Sequence, residues 1–243
     1  VSEPERLDLA KRRGVSELLG DALRIYRTNF WKIFSIALAI VVPVELIVSG
    51  IGLEELTSGY RAEETTATLS IPVLVGVLVE APLIAAAMIH ILQALSNDAP
   101  PRFRQSIQLA LDAFAPLFLA VLLAAAAVTF GLTLLVIPGI YLAIRLVFVP
   151  QAVVVDGKRG PDALRASWAL TQNEWWRTFT VILVVNLVTL IPAAIVVTPL
   201  ELAAESADTQ AMSLAGMILT NALAAPFVAL VSTLLFFDLR SQR

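Results

Sequence analysis

Long apolar runs alternate along this chain with short, two-faced polar stretches. From Ser16 to Trp31 the spacing is helical, with Glu17, Asp21, Arg24 and Thr28 on one side. Leu18, Leu19, Ala22, Tyr26 and Phe30 fall on the other, which predicts an interfacial helix leading into a membrane span. The first span is expected at about 31–53 and contains Pro43 and Glu45. A polar loop carrying Glu54, Glu55, Glu63 and Glu64 against a lone Arg61 separates it from a second span at 71–95, with Glu80, Pro82 and His90. Ser96 to Arg104 is a short polar connection, after which Phe103, Ile107, Ala110 and Phe114 recur at helical spacing.

Two further apolar runs, 113–137 and 139–155, flank Pro138-Gly139. Proline lacks an amide hydrogen and glycine tolerates positive φ, so the pair is expected to reverse the chain into a helical hairpin. A wet segment, Asp156 to Arg177, carries Lys158, Arg159, Arg165, Trp168, Trp175 and Trp176. The fifth span is expected at 176–197, with Asn186 and Pro192, and the sixth at 212–237, with Asn221 and Pro226. Between them Glu201 to Gln210 is acidic, without Lys or Arg. Runs of about 20 apolar residues have the length at 1.5 Å rise to cross a bilayer.

The expected architecture is therefore all-α: a polytopic membrane bundle of six transmembrane helices arranged as three hairpins. An amphipathic elbow helix on the cytosolic side precedes each hairpin. Residues 1–14 read as a cytosolic tail and 15–243 as one domain. Of the 17 Lys and Arg residues, only Arg61 falls in a loop that an N-inside, six-span topology places outside, so both termini are expected in the cytoplasm. A short internal repeat supports the three units. Asp21-Ala22-Leu23-Arg24 recurs as Asp162-Ala163-Leu164-Arg165, each followed by an aromatic entry into a span. The middle unit, Phe103 to Phe118, keeps the spacing without the words.

Composition agrees. Apolar residues make up 58% and charged residues 15% of the 243, well away from the roughly 45–50% and 25% of soluble domains. The absence of cysteine excludes a disulfide framework and thiolate chemistry, and a lone His90 is too little for a histidine-based metal centre. The first 30 residues lack the apolar core of a cleavable signal peptide. There is no phosphate-binding glycine loop, no HExxH and no serine elbow with a partnering histidine, so no catalytic residue, cofactor or metal is expected.

Ionisable side chains at membrane depth cost at least about 2.5–3.5 kcal/mol at a helix centre. Three fall there, Glu45, Glu80 and Arg145. Their similar expected depths would let the arginine meet one or both carboxylates, forming either a ligand site or an internal ion pair that sets hairpin packing. Arg24, Arg165, Trp168 and Trp176 are the candidate interfacial residues of the elbow helices, the tryptophans as an aromatic belt.

The run from Ile137-Pro138-Gly139-Ile140-Tyr141-Leu142 through Arg145 and Ser167-Trp168-Ala169-Leu170-Thr171 to Trp176-Arg177-Thr178-Phe179 resembles the membrane domain of glycerophosphoryl diester phosphodiesterases and its stand-alone prokaryotic relatives. Leu18-Leu19-Gly20-Asp21-Ala22-Leu23-Arg24 and Phe237-Asp238-Leu239-Arg240 fit the opening and ending of the same group. The resemblance implies a six-span bundle. It does not imply phosphodiesterase activity, which in that family belongs to a separate soluble barrel. The expected function is a non-enzymatic integral protein of the cell membrane that binds lipid or a membrane partner through the bundle interior and the elbows. The alternatives are a small transporter or flippase with a polar path past Glu80, Arg145 and Glu45, and an anchor subunit for a separately encoded soluble enzyme. Membrane lipids and a membrane or soluble protein are the expected partners; nucleic acid is not.

Overall fold

A computed structural model of the chain describes residues 13–48, 73–97, 99–207 and 210–242. All of their regular structure is helical, and six helical segments are long and apolar enough to cross a membrane. The chain is a multi-pass helical membrane protein.

The first element, α1 (Val15–Thr28), forms because the expected two-faced pattern is obeyed. Leu18, Ala22 and Ile25 are buried, and the Glu17 carboxylate accepts the free amide of Gly14 at 3.0 Å. After Asn29 the chain enters α2 (Phe30–Val48), whose later residues include Pro43 and Glu45. The far end of the first expected span, the glutamate-rich loop with Arg61, and residues 1–12 of the expected tail lie outside the described residues.

The next helix, α3 (Val73–Ser96), contains a π-helical turn over Gly76–Glu80. That wider turn falls where Pro82 crowds the carbonyl one turn before it, and it ends on Glu80. From Pro82 to Ile89 every residue of α3 is buried. The short α4 (Phe103–Asp112) then leads into α5 (Phe114–Leu134).

The hairpin that follows corrects the expectation at Pro138-Gly139. The chain reverses at Leu135, whose backbone is extended, and α6 (Val136–Arg145) begins at the next residue. Pro138 lies in the first turn of α6, where its missing amide hydrogen would have had no intrahelical partner. Gly139 is not at positive φ. It lets two helices touch: a Cβ there would stand 2.3 Å from Leu132 Cδ2 and 2.7 Å from the Leu132 backbone nitrogen. The fourth span is also not one helix. It breaks at Leu146–Phe148 and resumes as α7 (Val149–Val154).

Gly157 and Gly160 supply the positive φ values of the loop into α8 (Pro161–Leu170). The fifth span, α9 (Trp175–Ala207), runs through most of the stretch expected as an acidic loop, and α10 (Gln210–Ser241) completes the bundle. The short helices α1, α4 and α8 directly precede α2, α5 and α9. In α1 and α8 the matching words carry matching contacts. Arg24 bonds Asp21 at 3.0 Å, Arg165 bonds Asp162 at 3.2 Å, and Ala22 and Ala163 are both fully buried.

Helix α10 is the axis of the bundle, packing on α9, α2, α3 and α1, while α7 joins α3, α5 and α8. Helix α9, packed mainly on α10, has the least buried span of the six.

Candidate functional site

The break in the fourth span organises the first candidate site. At the end of α6 the Arg145 carbonyl loses its helical partner, and at the start of α7 the Phe148 amide has none either. Ser167 of α8 serves both: its hydroxyl donates to the Arg145 oxygen at 2.8 Å and accepts from the Phe148 nitrogen at 3.1 Å. Thr171 adds a longer bond to the same carbonyl, 3.4 Å. The small hydroxylated residues at 167 and 171 thus splice α8 onto a broken span.

On the other side of this splice the Arg145 side chain is 7% exposed. Its Nε and Nη2 both donate to the Tyr141 hydroxyl, at 2.9 and 2.6 Å. The guanidinium carbon lies 4.9 Å from the Tyr141 ring centre and 5.1 Å from that of Trp168. Trp175 stacks on Tyr141 and donates its indole N–H to the Tyr141 carbonyl at 3.3 Å. Nη1 is buried with no hydrogen-bond partner. Aromatic faces stabilise a desolvated cation by about 2 kcal/mol or more, but they supply neither an anion nor an acceptor for that third nitrogen.

Glu45 and Glu80 are also buried, yet they stand apart from Arg145. The two carboxylates are close enough for their charges to interact, and Asn221 of α10 donates to Glu45 Oε1 at 2.8 Å. The expected meeting of the arginine with these carboxylates does not occur, because Arg145 closes the α6 end against α8 and α9 instead. The three-residue cluster therefore separates into a carboxylate pair held by α2, α3 and α10 and an arginine held by aromatic rings. Of the remaining candidates, Trp168 joins the arginine cage. Trp176 is largely exposed, edge-on to Trp175. Arg24 and Arg165 bond acidic neighbours on their own helices.

A third cluster was not foreseen. Asp238, fully buried near the end of α10, accepts the Arg13 backbone amide at 3.1 Å and pairs with Arg177 near the start of α9. Arg177 also donates to the Arg13 carbonyl at 2.7 Å, and the Arg13 side chain pairs with Asp21 of α1 at 2.8 Å. Arg240 bonds Asp156 at 2.7 Å. Arg177 and Asp238 both lie in stretches that carry the family resemblance, Trp176-Arg177-Thr178-Phe179 and Phe237-Asp238-Leu239-Arg240. Nothing in either word names the other as its partner across 61 residues.

Two cavities accompany these clusters. One, about 270 Å³, is an almost wholly apolar groove between α1, α9 and α10, walled by Leu23, Tyr26, Val188, Pro192, Ala224 and Phe227. Tyr26 closes one side by donating its hydroxyl to the Leu223 carbonyl at 3.0 Å. The other, about 430 Å³, lies between the end of α3 and the start of α4 and is lined in part by His90, Gln93, Asn97, Arg102 and Gln105.

No curated protein and no solved structure matches the chain, and nothing in the comparisons ties it to the glycerophosphoryl diester phosphodiesterase membrane domain. One family model does match, over residues 51–229, from before α3 to within α10, and is described only as an uncharacterised protein family. By that match, over most of its length, the chain belongs to the family UPF0259.

Proposed function

We propose that this chain is a non-enzymatic lipid-binding protein of the cell membrane, with both termini cytoplasmic. The observation that carries the reading is the apolar groove between α1, α9 and α10. Two of its walls are apolar spans, of the kind that face hydrocarbon, and rim residues Leu23 and Val188 are exposed. An acyl chain fits such a groove with almost no polar surface to desolvate. The strong bias of basic residues supports the orientation. The shared contacts of Asp21–Arg24 and Asp162–Arg165 support an ancestral repeat of elbow helix and hairpin.

Native mass spectrometry of protein extracted with its own lipids tests the reading. Wild type should retain lipid, and the groove-filling changes Ala193→Phe and Ala224→Phe should each release most of it while circular dichroism stays unchanged. Bare wild-type protein, or equal retention in the filled variants, would sink it.

A second reading, transport, draws on the carboxylate pair buried between α2, α3 and α10. Its path would run past Glu45 and Glu80 only, and it requires that Glu80→Gln abolish flux in proteoliposomes without unfolding the bundle. Helices α1, α4 and α8 offer the surface for the anchor role, which predicts a soluble protein co-purifying through them.

A further inference from the structure

We propose that Arg145, with Tyr141 and Trp168, forms a phosphate-binding site. The proposal is independent of the groove, which is walled by other residues.

Three observations combine. The guanidinium is more than nine-tenths buried, and its Nη1 has no hydrogen-bond partner. Among the described residues no carboxylate pairs with it, so none of them supplies a counter-ion for the positive charge. The side chain is nonetheless held in one geometry. Tyr141 accepts two of its N–H groups, two rings stand over it, and the Ser167 splice fixes the backbone beneath it.

A buried charge without a partner is costly, and a buried unused N–H adds to that cost. A preorganised guanidinium with a free N–H and uncompensated charge is suited to a tetrahedral oxyanion, whose oxygens match its planar donors better than a point charge would. The covering rings are themselves accessible, Tyr141 at 37% and Trp168 at 39% exposure. The proposed route for an anion to Nη1 is past these two part-exposed side chains. Trp168 lies on α8, outside the six apolar spans, and Trp175 is the first residue of the fifth. Aromatic residues of this kind collect where a membrane meets water, the depth at which lipid phosphates sit. The shared chemistry is a phosphate group, carried by a lipid headgroup or free in solution.

The test uses the full chain, stripped of lipid in detergent and titrated by native mass spectrometry with three probes: short-chain phosphatidylglycerol, diacylglycerol of the same chain length, and inorganic phosphate. Wild type should prefer phosphatidylglycerol over diacylglycerol at least about tenfold. Arg145→Met should reduce that preference to near one, and Arg145→Lys should restore part of it. Competition by millimolar inorganic phosphate would support the site and assign it to free phosphate; its absence would assign the site to the lipid headgroup. Equal binding of the two lipids to wild type would overturn the proposal, as would a preference unchanged in a folded Arg145→Met protein. Where Arg145→Met fails to fold, tryptophan emission decides. The emission change on adding phosphatidylglycerol should disappear in Trp168→Phe, and its persistence there would overturn the site. Loss of the lipid retained on extraction in Ala193→Phe, with its titrated preference for phosphatidylglycerol over diacylglycerol as in wild type, separates this result from the groove.

Discussion

The close approach of α5 and α6 makes Gly139→Ala a severe change for a single methyl group. The added Cβ would lie 2.3 and 2.4 Å from Leu132 Cδ2 and Cγ, and 2.7 Å from the Leu132 nitrogen. Ordinary contact between such atoms is about 3.5–4.0 Å. A rotamer change can move the two side-chain atoms, but the nitrogen belongs to the α5 backbone and moves only if the helices part. Overpacking of this kind costs about 1–3 kcal/mol, and the backbone contact puts Gly139→Ala at or above the upper end. The companion glycine provides the control. At Gly131 a Cβ meets first Leu142 Cδ1 at 2.8 Å, the far end of a flexible side chain, and then the Gly139 backbone at 3.1 and 3.2 Å. Gly131→Ala should therefore cost less, about 1 kcal/mol. Trimming Leu132 in the Gly139→Ala, Leu132→Ala double variant should recover only the side-chain share. The assay is thermal unfolding followed by circular dichroism in one detergent across all four proteins. A Gly139→Ala protein as stable as wild type, or full recovery in the double variant, would refute the backbone-contact reasoning.

Other outcomes follow from the same geometry. Asp238→Asn should destabilise the bundle by about 3–5 kcal/mol, since it strips a buried partner from Arg177; a melting temperature within a degree of wild type would contradict this. Ser167→Ala leaves both the Arg145 carbonyl and the Phe148 amide without the hydroxyl, a loss of about 1–3 kcal/mol. Limited proteolysis should then cut near the Leu146–Phe148 break before it does in wild type. Burial raises the Tyr26 phenol from 10.0 to about 12, so its neutral, hydrogen-bonded form is favoured in the fold. Its contribution is complete below pH 10 and is lost as pH rises through about 12. Tyr26→Phe should remove that part of the alkaline loss of stability, and identical pH–melting profiles would exclude it.

The spans were readable because lipid and helix geometry leave one solution for 20 apolar residues in a row. Helix α1 was readable for a related reason: a two-faced pattern at helical spacing buries one side, and Leu18, Ala22 and Ile25 are on it. What failed were statements about which residue meets which. Pro138-Gly139 looks like a turn because local rules favour one there. The turn moved to Leu135 because Gly139 was needed where α6 crosses α5, and no periodicity in a single helix reports the surface of its neighbour. Arg145 was matched to Glu45 and Glu80 by counting residues along straight rods. The break at 146–148 invalidates such counting, and the arginine found rings of α6 and α8 instead. The Asp238–Arg177 pair lay in plain sight as two charged residues at the ends of apolar runs. Only the wrapping of α9 against α10 turns them into partners.

The spans of this bundle are unequal. The apolar stretch of α5 covers 21 residues and that of α9 covers 26, about 32 and 39 Å of helix against a hydrocarbon layer of about 30 Å. A flat bilayer cannot match both lengths at once. Either α9 leans, or the leaflets thicken beside it. Because α9 is the span least covered by the rest of the protein, the lipids beside it bear the mismatch directly. A span of that length matches a thicker hydrocarbon layer better than a thinner one.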